Sequence, residues 1–431
     1  MLGWVGRRRL GPGFGRLWAA YAVSAYGSGL GFGALPLLAV LVLHAGPAEV
    51  SALSAVGPAV GALIAVPLAP WVEFRRKRPV MIAMDLARFA AMATIPLAYA
   101  LGRLGFVQLL AVSAVVAAAK IAFNAASGAH LKALVRPEDL LVANARFEST
   151  NWSSIAIGPP LGGAAIGLFG PVTTVIADAL SYLLSAAGIT AIRGREEPPQ
   201  PAAGSPAGAG SGSSVRAGGL RAGALLDGWR HILGDPALRA LYLNNLLVGG
   251  LIMATEPLLA VLMLRQLHFP PWQYGLAFAA PCLGGLIGSR LARRVVARHG
   301  RHRVFRTVGT LRAVWLIGLV LVRPGVVGLL IVMAVELAII VNMSLYNPVL
   351  ATYRLERTPK HLLARTLSAW SIGQQASIAI CTALGGLLAD TTGPRTALAV
   401  AGLLILATPL LLPRHDRTAA PHQPEPSLSR S

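Results

Sequence analysis

Four ionisable side chains stand inside long apolar runs of this sequence: Lys120, Asp178, Glu256 and Glu336. Charge withdrawn from water is costly, so a carboxyl held there favours its neutral form and can carry a proton. Glu256 directly precedes Pro257, and Asn245, Gly249 and Ile252 come before it at helical spacing. Asn245 and Glu256 therefore share one helix face. Glu336 shares a face with Ile340, Met343 and Asn347. Glu256 is the first candidate for proton coupling and Glu336 the second; the plainer reading is a hydrogen-bonded structural acid. Lys120 sits one turn from Asn124. It can hold an anionic group, pair with an acid, or stretch towards the nearest polar boundary. Asp178 reads as a partner for another helix. Arg290 and Arg312 fall nearer the ends of their runs, as anchors or gate residues.

Such groups need elements that cross a bilayer. Of the 431 residues, 55% are hydrophobic and 13% charged, where a soluble chain carries about 25% charged. Many runs reach the roughly 20 residues that cross about 30 Å of hydrocarbon as a helix. Twelve spans are predicted: 17–43, 51–71, 79–101, 105–127, 147–169 and 171–192, then 238–264, 273–296, 304–322, 326–350, 365–389 and 394–412. They are too long and too uniformly apolar for barrel strands, so the expected fold is an all-α polytopic membrane protein. The first run is too long for a cleavable signal. Only Cys282 and Cys381 occur, both inside spans, which gives no disulfide framework and no metal spacing. No phosphate-cradling P-loop and no Ser/His/Asp constellation is present, so an enzyme and a bound cofactor are not expected.

The cluster Arg75, Arg76, Lys77 and Arg78 lies between two spans, where basic residues hold a loop in the cytoplasm. Arg7 to Arg9, Lys132, Arg136, Arg146, Arg298, Arg301, Arg303, Arg354, Arg357 and Lys360 fall on the same side. Both termini are thus expected inside. The 38 basic residues divide into 34 arginines and 4 lysines, which with abundant Ala and Gly suggests a bacterial chain and an inner (plasma) membrane. The net charge of +21 follows this topology pattern, which argues against nucleic-acid binding. The partners expected are lipid and a small molecule, with the chain acting as a monomer.

The chain repeats. Leu161-Gly162-Gly163 matches Leu384-Gly385-Gly386 and Gly170-Pro171 matches Gly393-Pro394, each 223 residues apart. Several anchors in order argue for duplication, with two parallel six-helix halves and a site between them at mid-depth. The expected organisation is a bundle over 1–192, a linker over 193–237 and a bundle over 238–412. A polar tail over 413–431 follows. Residues 196–219 are rich in Pro, Ala, Gly and Ser, as in a flexible linker. Residues 220–233 fit a short amphipathic helix at the membrane surface, with Trp229 at the interface.

Several stretches together resemble the major facilitator superfamily, and most closely its enterobactin-exporter and macrolide-efflux branch. They are FGRLWAAYAVSAYG, RRKRPVMIAMDLAR, LVRPEDLLVANARFE, GPPLGG and YNPVLATYRLERTPKHLLARTLSAW. The resemblance implies a twelve-helix secondary transporter. It implies that Glu73, Arg75, Arg76, Arg78, Asp85 and Arg88 form a charge network that locks the cytoplasmic side. This loop departs from the family pattern, with Ala69 at the usual glycine and Phe74 where a basic residue follows. Gly158, Pro159, Gly162 and Gly163 fit the G-P-x-x-G-G pattern that marks antiporters in this family; tight helix packing is the simpler reading of the same residues. Ser28 and Asn124 stand where many members have acids, which moves the coupling role to Glu256.

A central cavity would be lined by Tyr21, Ser24, Ser28, Lys120, Asn124, Asn244, Asn245, Asn342, Tyr346, Asn347, Trp370, Gln374 and Gln375. Aromatic rings supply flat apolar area there, and amides supply polar contacts. The expected activity is proton-coupled efflux of a medium-sized amphipathic compound such as a drug, antibiotic or siderophore. The proton is the coupling ion. A metabolite symporter or uniporter, and a sensor that no longer transports, are the alternatives.

Overall fold

In the computed structural model the described residues are 10–31, 33–73, 75–136, 139–192, 222–359 and 362–412. Every regular element among them is helical. The linker residues 193–221, the tail 413–431, Phe74 and Lys360 lie outside the described residues.

The first half runs α1 (Pro12–Leu30), α2 (Ala34–Leu41), α3 (Pro47–Glu73), α4 (Lys77–Ala100), α5 (Phe106–Leu134), α6 (Leu140–Phe169) and α7 (Val172–Thr190). A short α8 (Ala222–Gly234) follows. The second half runs α9 (Pro236–Ala260), α10 (Pro271–Ala279), α11 (Leu283–His299), α12 (Arg301–Val314), α13 (Val326–Arg357), α14 (Leu363–Thr392) and α15 (Pro394–Ala407). Eleven helical stretches among the described residues are long and apolar enough to cross a membrane. Leu63, Val107 and Leu168 are each more than 70% exposed, as suits side chains that face lipid.

Local chemistry sets the boundaries. Gly46 N–H donates to Glu49 at 2.8 Å and Pro47 opens α3, which together cap its start. Asp235 accepts from the N–H groups of Ala237 and Leu238 at 2.8 and 3.2 Å, so α9 starts there. Gly170 and Gly393 close α6 and α14 at φ +88° and +90°, each followed by proline. A left-handed glycine ends one helix and proline starts the next, and the duplicated sequence makes the same corner twice.

Among the spans that differ from their predicted form, three do so at a glycine or a proline. The run 17–43 is divided between α1 and α2, because Gly33 takes φ +69°. The run 273–296 is divided by a 3-10 turn at Ala280–Cys282, where Pro281 lacks an N–H. After Pro257, α9 passes into a π-helical turn over Val261–Gln266.

Within the first half α1 packs on α6 and α7, and α4 on α5 and α7. Within the second, α9 packs on α14, and α11 on α13. The halves meet through α3 against α14 and α6 against α10. Contacts among the described residues mark the outer end and the middle of these junctions. Arg265 donates to the Ala45 carbonyl at 3.1 Å, and a side chain at Gly46 would meet Asp390. Gly163 abuts Pro271 and Trp272, Gly386 abuts Ser51, and Gly61 faces Gln375.

Candidate functional site

In the first half, helix α7 brings Asp178 to the centre of a polar cluster. Its carboxylate accepts from Ser28 Oγ and from the Tyr182 hydroxyl, both at 3.2 Å, and Ser28 and Tyr182 are 2.9 Å apart. Glycines make this possible: Gly27 of α1 and Gly31 just after its end are the positions that close on Ser181 and Asp178. Arg88 of α4 pairs with Asp85 one turn earlier, and its guanidinium carbon lies 4.4 Å from the Tyr182 ring centre and 4.7 Å from that of Phe123. Lys120 of α5 lies within electrostatic reach of both Arg88 and Asp178. Its side chain is exposed. An acid therefore does serve this half, reached by Ser28 from α1.

In the second half, Glu256 of α9 and Glu336 of α13 lie within electrostatic reach of each other, and Tyr274 of α10 lies within reach of both. Glu336 is buried, and Glu256 keeps partial accessible surface within its protein surroundings. Neither carboxyl has an ion-pair partner among the described residues. Helix packing brings the two acids together from positions 80 residues apart. The sequence alone puts them on separate helices and does not relate them.

Asn245 donates to Gln374 at 2.6 Å, joining α9 to α14. Tyr21 is half-buried against Phe147, ring centres 4.6 Å apart. Asn124 and Asn347 are exposed and Gln375 is half-buried. Asn342 is half-buried but donates to Ala338 O of its own helix.

Ser24, Asn244, Tyr346 and Trp370 are not brought to an open wall. Each is buried within its own half. Asn244 donates to the Thr408 carbonyl at 2.7 Å and accepts from Arg312. Trp370 packs edge-on to Tyr242 beneath Arg354. Arg312, expected near a surface, is fully buried over the Tyr346 ring. The side chain of Arg290 lies outside what is described.

The expected gate residues are spread apart. Arg75 and Arg76 are exposed in the turn before α4, and Arg78 donates to the Ile192 carbonyl, tying α4 to the end of α7. Asp85 and Arg88 are buried inside the first half rather than at a junction between halves. Glu73 ends α3, and its side chain lies outside what is described. Gly158 and Gly162 sit against the backbone of Gly29 and Leu30, and the Pro159 carbonyl lies against Gly275 of α10. With Gly163, this motif holds α6 to α1 on one side and to the other half on its other side. Among the described residues no group of three His, Cys, Asp or Glu is placed to hold a metal ion.

A family profile described as Major Facilitator Superfamily matches residues 17–256 and 241–430. The multidrug efflux pump Tap of Mycolicibacterium fortuitum is 26% identical over 407 residues, covering 92% of each chain. That of Mycobacterium tuberculosis is 27% identical over 412 residues, covering 93% of this chain and 92% of the pump. Among solved structures, a bacterial homologue of the iron transporter ferroportin in its inward-facing state superposes with a TM-score of 0.72. It is 17% identical and covers 93% of this chain and 97% of that one. The outward-facing form of such a homologue gives 0.58, with 15% identity, 93% of this chain and 98% of that one. The relatives named are pumps and transporters. With the profile matched across both halves, the chain belongs to the major facilitator superfamily.

Proposed function

We propose that the protein exports a medium-sized amphipathic compound in exchange for protons, working by alternating access in the plasma membrane with both termini in the cytoplasm. The observation that carries this reading is the pair Glu256 and Glu336, two enclosed acids with no ion-pair partner among the described residues. Two carboxyls in such a place hold charge at a high cost and give it up by binding a proton. Efflux is supported by the likeness to the Tap pumps. An inward-open form is favoured by the close contacts between the halves at the outer end, at Gly46, Gly386 and Gly163. In the cycle, Glu256 takes a proton from outside as substrate leaves, the halves rock, and the proton is released inside.

The test is a susceptibility panel in a bacterial host stripped of its own pumps, against diverse antibiotics, dyes and siderophores, with and without a protonophore. Resistance that the protonophore abolishes is the expected result. No shift for any compound, with the protein present in the membrane, would overturn efflux of such compounds.

A further inference from the structure

A second site lies away from the acids, where α8 meets α9 and the end of α13. A cavity of about 490 Å³ there is lined by Arg230, His231, Gly234, Asp235, Pro236 and Arg357. Helix α8 is docked firmly enough to shape it. Gly228 rests on the backbone of Arg365 and Thr366, Trp229 donates to the Tyr242 hydroxyl at 3.2 Å, and Ile232 is buried.

Its opposite face carries Leu226, Arg230 and Leu233 at helical spacing. Leu226 is 48% exposed, Leu233 is 44% exposed, and the Arg230 side chain is 75% exposed. Two exposed leucines around an arginine suit the boundary between headgroups and acyl chains.

Among the ion pairs of the described residues here, arginine outnumbers carboxylate. Asp227 is shared between Arg230 at 3.3 Å and Arg365 at 3.0 Å, and Asp235 stands 3.5 Å from Arg357. Asp235 also spends one oxygen on the α9 N–H groups. Three arginines therefore face two carboxylates, and Nε2 of His231 is buried with no hydrogen bond among the described residues.

We propose that this cavity binds the phosphodiester headgroup of an anionic phospholipid, with Arg230 and Arg357 as its cationic contacts and Leu226 and Leu233 against the acyl chains. The shared chemistry is a phosphate anion, and the exposed leucines select the lipid over a free phosphate. The inference is independent of what the protein transports, because lipid retention is read without transport.

The full-length protein, purified in mild detergent, is given phosphatidylglycerol, phosphatidylcholine or glycerol phosphate, and bound molecules are counted by native mass spectrometry. Phosphatidylglycerol should be retained in preference to phosphatidylcholine, and glycerol phosphate should not be retained. Arg230→Gln should weaken retention about fivefold, the scale of one arginine at an anionic surface; its exposed side chain makes the variant safe for folding. Arg230→Gln with Arg357→Gln should abolish the preference, while Arg103→Gln, far from the cavity, should leave it intact. Equal retention of the two lipids, undiminished retention by Arg230→Gln, or retention of glycerol phosphate as strong as that of the lipid would each overturn the proposal.

Discussion

The guanidinium carbon of Arg312 lies 3.7 Å from the centre of the Tyr346 ring. Arg88 and Phe123 make the same pair in the first half at 4.7 Å. Positions 88 and 312 are 224 apart, and 123 and 346 are 223 apart, so this pair belongs to the duplication. The two copies differ in how the cation is answered. Arg88 pairs with Asp85, whereas Arg312 is met by the Asn244 amide oxygen and, among the described residues, by no carboxylate.

That difference sets unequal costs for the same substitution. Arg88→Met would strand the fully buried Asp85 and should cost about 3–5 kcal/mol of stability. Adding Asp85→Asn should recover most of it. Arg312→Met removes a buried charge along with its contacts and should cost about 1–3 kcal/mol, mainly through the unpaired Asn244 oxygen. Melting temperatures in one detergent would check the order. An Arg88→Met variant no less stable than Arg312→Met would refute it.

Tyr346 tests the boundary of the cavity. Its hydroxyl is buried and makes no hydrogen bond among the described residues, so Tyr346→Phe should leave stability within about 0.5 kcal/mol or raise it. Its resistance profile should equal that of the parent. Asn245→Ala, which deprives Gln374 of its donor, should change the profile at equal abundance.

The glycine motif makes a prediction about state. A side chain at Gly163 would press on Pro271 O at 2.6 Å, whereas Gly167 has open space. Gly163→Val should disfavour closure at that end, with overpacking of about 1–3 kcal/mol. With Ser51→Cys as reporter and both native cysteines replaced by serine, impermeant maleimide should label at least about fivefold faster in Gly163→Val. Gly167→Val should label at the parent rate.

The helices, the duplication and the Gly-Pro corners were legible because each is local: an apolar run of a given length, or two residues at a fixed offset. The breaks at Gly33 and Pro281 were visible as residues but not as breaks, since glycine and proline also occur in continuous spans. The site was harder to read because it depends on helix rotation. Tyr346 and Trp370 carry the chemistry of a cavity wall, yet face the core of their own half. Ser28 reads as a missing acid, and only packing shows that it serves Asp178. Arg312 reads from the sequence as an anchor or gate residue, and its burial over Tyr346 could have been inferred from Arg88 and Phe123 by the offset.

Glu256 is the residue we propose to couple substrate to protons. That role is tested most directly in proteoliposomes that compare Glu256→Gln with the parent, using a compound found in the susceptibility panel. Two fluxes are measured: uptake driven by an imposed proton gradient, and exchange of labelled for unlabelled substrate without a gradient. Glu256→Gln should lose gradient-driven uptake by at least about tenfold, the scale of a removed proton carrier, and keep exchange. Gradient-driven uptake at the parent rate would contradict that role.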